Sequence, residues 1–329
     1  MGLAITGIGM LSSCGETLDE LYAGLKNARE EKMISVPKMK ERGLVFTDSI
    51  TKKAYAAMRA AAEVSGLECK NRSDMGIFIG TAFGSLASTV KIERAFNERG
   101  MKGVMPMDFM NSVMNAPAGQ LAILSGLSGI NITVSDGSAS SIGALRMCGD
   151  MIDGGRIKAA VVGGIEEKCD IYCEYMKLNG QDPSEGVCMF IAEDADIAKE
   201  RGAHIYAEPI GSAYAYKVNP SVEDMLNIMS AAAKDADMTL DDLDFIVKCG
   251  EDIAIENTHI KSIDIQTAVG NTYSAAGAFM AAAAAAVFEK GKLPDGSGIS
   301  KNPAAMIISF GFDGFMGCCV LRKGDNRNG

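Results

Sequence analysis

The sequence predicts an α/β fold made of two similar halves, and three observations carry that expectation. Short glycine-bounded apolar runs alternate with longer helical stretches along the chain, the pattern of sheets covered by helices. A helix–strand–turn–strand unit occurs twice. The helix Ala139–Gly155 precedes AAVVGG and GVCMFIAED, and the helix Ala275–Gly291 precedes AAMIISFGFDG and GCCVLRK. Finally, no Pro-, Ser- or Gly-rich linker interrupts the chain. The polar segment Glu193–Gly202 is the expected boundary, dividing residues 1–200 from residues 201–329.

Leu3–Gly9, Gly76–Gly80, Ile132–Ser135 and Ala159–Gly163 read as buried strands of the first half. His204–Ile210, Phe245–Lys248, Ala304–Phe310 and Cys318–Leu321 read the same way in the second. Helices are expected over Thr17–Lys26, Lys52–Ser65, Ser138–Asp153, Ser221–Ala236 and Ala275–Lys290. Thr17 and Glu20 have the spacing of a capping box. The terminal GDNRNG is expected to fray.

Composition excludes several functions. With 329 residues, 47% of them hydrophobic, the chain has ample material for a large core. A net charge of −10 argues against nucleic acid and against anionic membrane surfaces, both of which call for clustered Lys and Arg. Nine scattered cysteines read as reduced cytoplasmic thiols rather than a disulfide framework. Neither Cys169 with Cys173 nor Cys318 with Cys319 has the partners of a zinc site, and no metal or cofactor is expected. Leu11–Cys14 imitates a lipoprotein cleavage box without a basic leader, and Met1-Gly2 with Thr6 is a weak myristoylation start. The Ala-rich run Ala275–Val287 is too short to span a membrane and reads as a buried helix.

The segments ITGIGMLSSCGETLDELYAGL, GIFIGTAFGS, NAPAGQLAILSGLSGINITVSDGSASSIGAL, AAVVGGIEE, SEGVCMFIAE, GNTYSAAGAF and SFGFDG follow one another in order. Together they resemble the β-ketoacyl synthases over nearly the whole chain. The resemblance implies a thiolase-like fold, two duplicated halves in layered α/β/α/β/α architecture. It also implies a nucleophile elbow, where the strand Ile132–Ser135 turns through Asp136 and Gly137 into a helix starting near Ser138. A helix N-terminus favours an anion there, which suits the cysteine that the family carries.

This chain departs from the family at each reactive position. Ser138 stands at the nucleophile position, Cys249 and Asn271 at the two histidine positions, and Gln266 at the lysine position. The gatekeeping Gly-Phe-Gly-Gly turn reads Gly311-Phe312-Asp313-Gly314, in which the Phe312 N–H would be the second oxyanion donor and the adjacent carboxylate opposes an anion. Only two histidines exist. His204, in an apparent strand, reads as structural, and His259, in a polar stretch, reads as a surface residue. The stretch between GGIEE and SEG is short for the family.

These departures lead to the expectation of a chain-length-factor-like subunit that does not condense on its own. It would pair with an active ketosynthase as a heterodimer, or with itself, and meet acyl carrier protein mostly through the partner. Such factors usually carry glutamine at the nucleophile position, so Ser138 is a departure there too. Asn115–Ser135 is the segment expected to form the subunit contact, since an unpaired strand edge with an apolar flank invites association. The alternative is a serine-dependent acyltransferase acting on carrier- or coenzyme-A-bound acyl groups. It would use Ser138, with Asn271 and the Phe312 amide as oxyanion donors and Cys249 as an unusual base. Cys249 as the nucleophile itself ranks lower still, because a cysteine at a strand end usually behaves as a small hydrophobe. Met105, Met107, Met110 and Met114 read first as ordinary core and second as the lining of an acyl tunnel or a subunit contact.

Overall fold

The computed structural model describes residues 2–27, 34–36, 38–250 and 258–326. In chain order the strands are β1 (Leu3–Leu11), β2 (Met75–Gly80), β3 (Asn131–Val134), β4 (Ala159–Glu166), β5 (Gly186–Asp194), β6 (Ala207–Tyr216), β7 (Phe245–Lys248), β8 (Ser262–Asp264), β9 (Ala304–Phe310) and β10 (Phe315–Lys323). The helices are α1 (Leu18–Lys26), α2 (Ser49–Ser65), α3 (Leu86–Arg99), α4 (Pro106–Phe109), α5 (Ala116–Ser125), α6 (Ser140–Asp153), α7 (Asp170–Leu178), α8 (Ala195–Glu200), α9 (Val222–Asp235), α10 (Gln266–Val269) and α11 (Ala276–Lys290). Thr17 caps α1, with the Glu20 side chain completing the box.

The strands run in the order β3-β2-β4-β5-β1-β6-β10-β9-β7-β8. The seam between β1 and β6 is a single pair, Ile5 with Ala207, backed by a 2.9 Å bond from the Tyr206 N–H to the Ile5 carbonyl. Outward from that seam the two sides repeat one plan: β1-β5-β4-β2-β3 on one, β6-β10-β9-β7-β8 on the other. On each side the two inner pairings are antiparallel and the two outer ones parallel. The fold is therefore a duplication.

Alternate residues of each strand enter different cores, which is why the strands read as unbroken apolar runs. Phe78, Val162, Phe190, Phe245 and Ile307 face the central cluster around α6 and α11. Ile77, Val161 and Ile191 face α2 and α5, while Ile246, Met306 and Val320 face α9. This gives the five layers α/β/α/β/α. Small residues let the layers close up. A Cβ on Gly9 would lie 2.1 Å from the Ala57 carbonyl oxygen of α2, and one on Gly277 would lie 2.9 Å from Ile142 where α11 meets α6.

Several expectations are corrected. The strand expected over His204–Ile210 begins at Ala207, leaving His204 outside it. Ahead of β6, the Asn326 amide takes the place of a neighbouring strand, accepting from the Ile205 N–H at 2.8 Å and donating to the Ile205 carbonyl at 3.1 Å. The tail is accordingly ordered through Asn326; residues 327–329 lie outside the described residues. The methionine stretch is not core: Met105, Met110 and Met114 are exposed, together with Phe109 and Val113. Among the described residues, no helix is long and apolar enough to cross a membrane.

Candidate functional site

The elbow forms where β3 ends at Val134. Asp136 is followed by Gly137 at φ +53°, a left-handed conformation that glycine adopts without strain. Ser138 lies in a 3-10 turn over Gly137–Ala139, and α6 proper starts at Ser140, two residues later than expected. The β9–β10 turn, Gly311–Gly314, folds against this elbow. Between them sits the Asp313 carboxylate. Its Oδ2 accepts from the Ser138 N–H at 2.7 Å and from the Tyr273 hydroxyl at 2.8 Å; its Oδ1 accepts from the Phe315 N–H at 3.0 Å and the Ser138 hydroxyl at 3.2 Å.

All five positions singled out in the sequence, Ser138, Cys249, Gln266, Asn271 and Phe312, line one cavity of about 540 Å³. Their surroundings differ from what an acyl-transfer site needs. Cys249 follows β7, half-buried, with its thiol 3.8 Å from the Gly270 carbonyl. Burial, and secondarily the charge of Asp264, pushes that thiol up to about 12. It stays protonated at neutral pH, so it is neither the base nor a ready nucleophile of the alternative reading. Asn271 is committed as well. Its Nδ2 donates to Gln181 Oε1 at 2.9 Å and its Oδ1 accepts from the Tyr273 N–H at 3.0 Å. One of its two N–H donors and its oxygen are thus engaged within the protein. Gln266, the first residue of α10, is exposed, and its backbone N–H bonds Asp264 at 2.9 Å. Phe312 is 41% exposed at the mouth, stacked on Tyr273 with ring centroids 5.7 Å apart and flanked by Tyr175 at 5.9 Å.

Neither histidine lines this cavity. His204 pairs with Glu289 at 3.1 Å, and His259 is exposed. The structure adds residues that the sequence did not mark. Tyr273 reaches the site from a left-handed backbone (φ +49°), and burial, then Asp313, pushes its hydroxyl upward. Behind it, Glu166 at the end of β4 is buried. Its Oε2 accepts from the Ala82 N–H at 3.0 Å and from the Ser274 hydroxyl, and its pKa is raised to about 7, chiefly by burial. Nothing in the sequence marked Tyr273 beyond its place two residues after Asn271 in GNTYSAAGA, and Glu166 had no signal beyond its place in GGIEE. Among the described residues, no group of His, Cys, Asp and Glu is arranged to hold a metal ion.

Residues 35–173 match the model of the β-ketoacyl synthase N-terminal domain. The chain is similar to the β-ketoacyl synthases. It is 26% identical over 310 residues to the 3-oxoacyl-[acyl-carrier-protein] synthase 2 of Vibrio cholerae, covering 78% of this chain and 72% of that protein. A crystal structure of a β-ketoacyl synthase from Burkholderia phymatum superposes with a TM-score of 0.87 at 19% identity, over 98% of this chain and 99% of the other. The ishigamide ketosynthase/chain length factor superposes with a TM-score of 0.81 at 18% identity, again over 98% and 99%. At those identities the structural likeness speaks for the thiolase-like fold.

Proposed function

We propose that this chain is a non-condensing, chain-length-factor-like subunit that pairs with an active ketosynthase in cytoplasmic fatty acid or polyketide synthesis. The observation that carries the reading is that neither histidine position holds an imidazole: Cys249 presents a thiol, and the Asn271 amide bonds Gln181 and Tyr273. Condensation by the family's route needs two strong donors to hold a developing enolate oxygen, an effect worth several kcal/mol, and neither position supplies them from histidine.

The partner half of the reading rests on the surface. β3 is an edge strand, and the segment leading into it carries exposed Met105, Phe109, Met110, Val113, Met114 and Ile123. An apolar approach to an unpaired strand edge is a surface suited to a second subunit. Within this reading we divide the chain into halves 1–200 and 201–329, and the first half supplies the contact. A net charge of −10 disfavours an acidic carrier protein, so the ketosynthase partner would bear most of that docking.

The test is co-expression with any ketosynthase encoded nearby, followed by co-purification and light scattering. A stable heterodimer is expected, loosened at least about tenfold by Phe109→Asp combined with Met110→Asp, since charges placed in an apolar contact cost more than 1.4 kcal/mol. The pure chain given acyl- and malonyl-carrier protein should release no condensed product. A stable monomer that ignores the ketosynthase would end this reading, and condensation abolished by Ser138→Ala would replace it with the acyltransferase.

A further inference from the structure

We propose that Asp313 is a resident anion of the elbow, whose carboxylate stands where a thioester's carbonyl oxygen would be held and keeps the site closed to acyl transfer. This deepens the non-condensing reading, and rests on it only in treating the elbow as the family's reactive position. The Ser138 N–H, in the 3-10 turn that leads into the 14-residue α6 at Ser140, is the natural donor to an anion. In this chain that donor is taken at 2.7 Å, a charge-assisted distance. Four donors converge on the carboxylate: the N–H groups of Ser138 and Phe315, and the hydroxyls of Ser138 and Tyr273. An outside oxygen would have to displace a bound carboxylate whose own oxygens are well satisfied.

The surrounding backbone leaves room for this arrangement. A Cβ on Gly137 would sit 2.0 Å from Asp313 Oδ2, and one on Gly311 would sit 2.4 Å from Asp313 Oδ1 and 2.2 Å from Ser138 Oγ. A glycine at 313, as in the turn that this loop resembles, would leave the Ser138 N–H open. The other charged groups are Asp136, just before the elbow, and Arg146 on α6; with Asp313 they act on Tyr214 of β6. They are common to every variant below.

The consequence is a reversed elbow: a thiol placed at position 138 should be disfavoured as thiolate, instead of favoured as helix N-termini usually make it. The experiment introduces Ser138→Cys alone, with Asp313→Asn, and with Asp313→Gly. Iodoacetamide alkylation of position 138 is followed against pH by mass spectrometry of the tryptic peptide ending at Arg146. With Asp313 present the midpoint should lie above the ordinary thiol value of about 8.5. Each Asp313 substitution should lower it by about one pH unit or more, a roughly tenfold faster reaction at pH 7. Cys148 and Cys188, both fully buried, report folding by staying unreactive, and Asp313→Asn keeps the side-chain shape should the glycine variant not fold. Coincident profiles in the folded variants would overturn the role of Asp313. The readout needs neither partner nor acyl substrate. Its failure would thus leave the subunit reading intact, and a failed co-purification would leave the profile intact.

Discussion

Replacing Glu166 with Gln should remove a specific pH dependence from the stability of this protein. Glu166 is 1% exposed, and its Oε1 lacks a hydrogen-bond partner while Oε2 accepts from Ala82 and Ser274. The neighbouring carboxylates have their own cation: Lys53 pairs with Glu167 at 3.0 Å and with Glu185 at 3.1 Å. Burial dominates, and hydrogen bonds from Ser274 and the 82–83 backbone offset only part of it. The carboxyl rises from 4.5 to about 7 on folding.

An acid whose pKa is raised by folding binds more protons in the native state between those two values. Stability is therefore fully present below pH 4.5 and is lost as pH rises through about 7. At 1.36 kcal/mol per unit, the difference amounts to roughly 3 kcal/mol. Urea unfolding of wild type and Glu166→Gln across this range measures it, because groups common to both cancel. The wild type should lose roughly 3 kcal/mol relative to the variant on going from pH 4.5 to above pH 7, and the difference should be flat on either side. Parallel curves would refute the reasoning, showing that Glu166 keeps its charge at no cost inside the core.

Two further outcomes follow from packing and pairing. Phe279→Ala, in the part of α11 that is buried from Ala276 to Phe288 and beneath Gly186, should cost about 3–5 kcal/mol in urea unfolding, the range for emptying an aromatic site in a core. Asn326→Ala should cost about 1–2 kcal/mol, because it removes both bonds to the Ile205 backbone. Its more selective readout is faster amide hydrogen exchange at Ile205, with the β1–β5 amides unchanged.

Much of the fold was legible because its strands are buried on both faces. Val161 and Val162, adjacent in β4, enter different cores, so the run AAVVGG advertises a covered strand without any alternation. The misses have the converse cause. β8, Ser262–Asp264, is three residues long and mostly polar; its identity comes from parallel pairing with β7 rather than from its composition. The start of β6 was misplaced because Ile205 and Tyr206 look like strand residues, while the partner of Ile205 is a side chain from residue 326. The methionine stretch has the spacing of a core helix, and only the three-dimensional arrangement shows that nothing covers Met105 and Phe109.

The site divides along the same line. Position within a motif is local, so Ser138, Cys249, Gln266, Asn271 and Phe312 could each be located from the residues around them, and they do line one cavity. What each group is bonded to is decided by sheet order. Asp313 meets Ser138 across 175 residues because β9 and β10 bring their turn to the end of β3 and α6, and it meets Tyr273 across 40 residues for the same reason. Spacing inside SFGFDG reveals the carboxylate and not the donor it occupies. A glycine at 313 would leave every motif spacing unchanged and yet free the Ser138 N–H. Serine at 138 with cysteine and asparagine at 249 and 271 would by themselves leave an elbow whose N–H could hold a carbonyl oxygen. On the proposed reading the Asp313 carboxylate takes that place, so restoring a single side chain at 138, 249 or 271 should not restore acyl transfer while Asp313 remains.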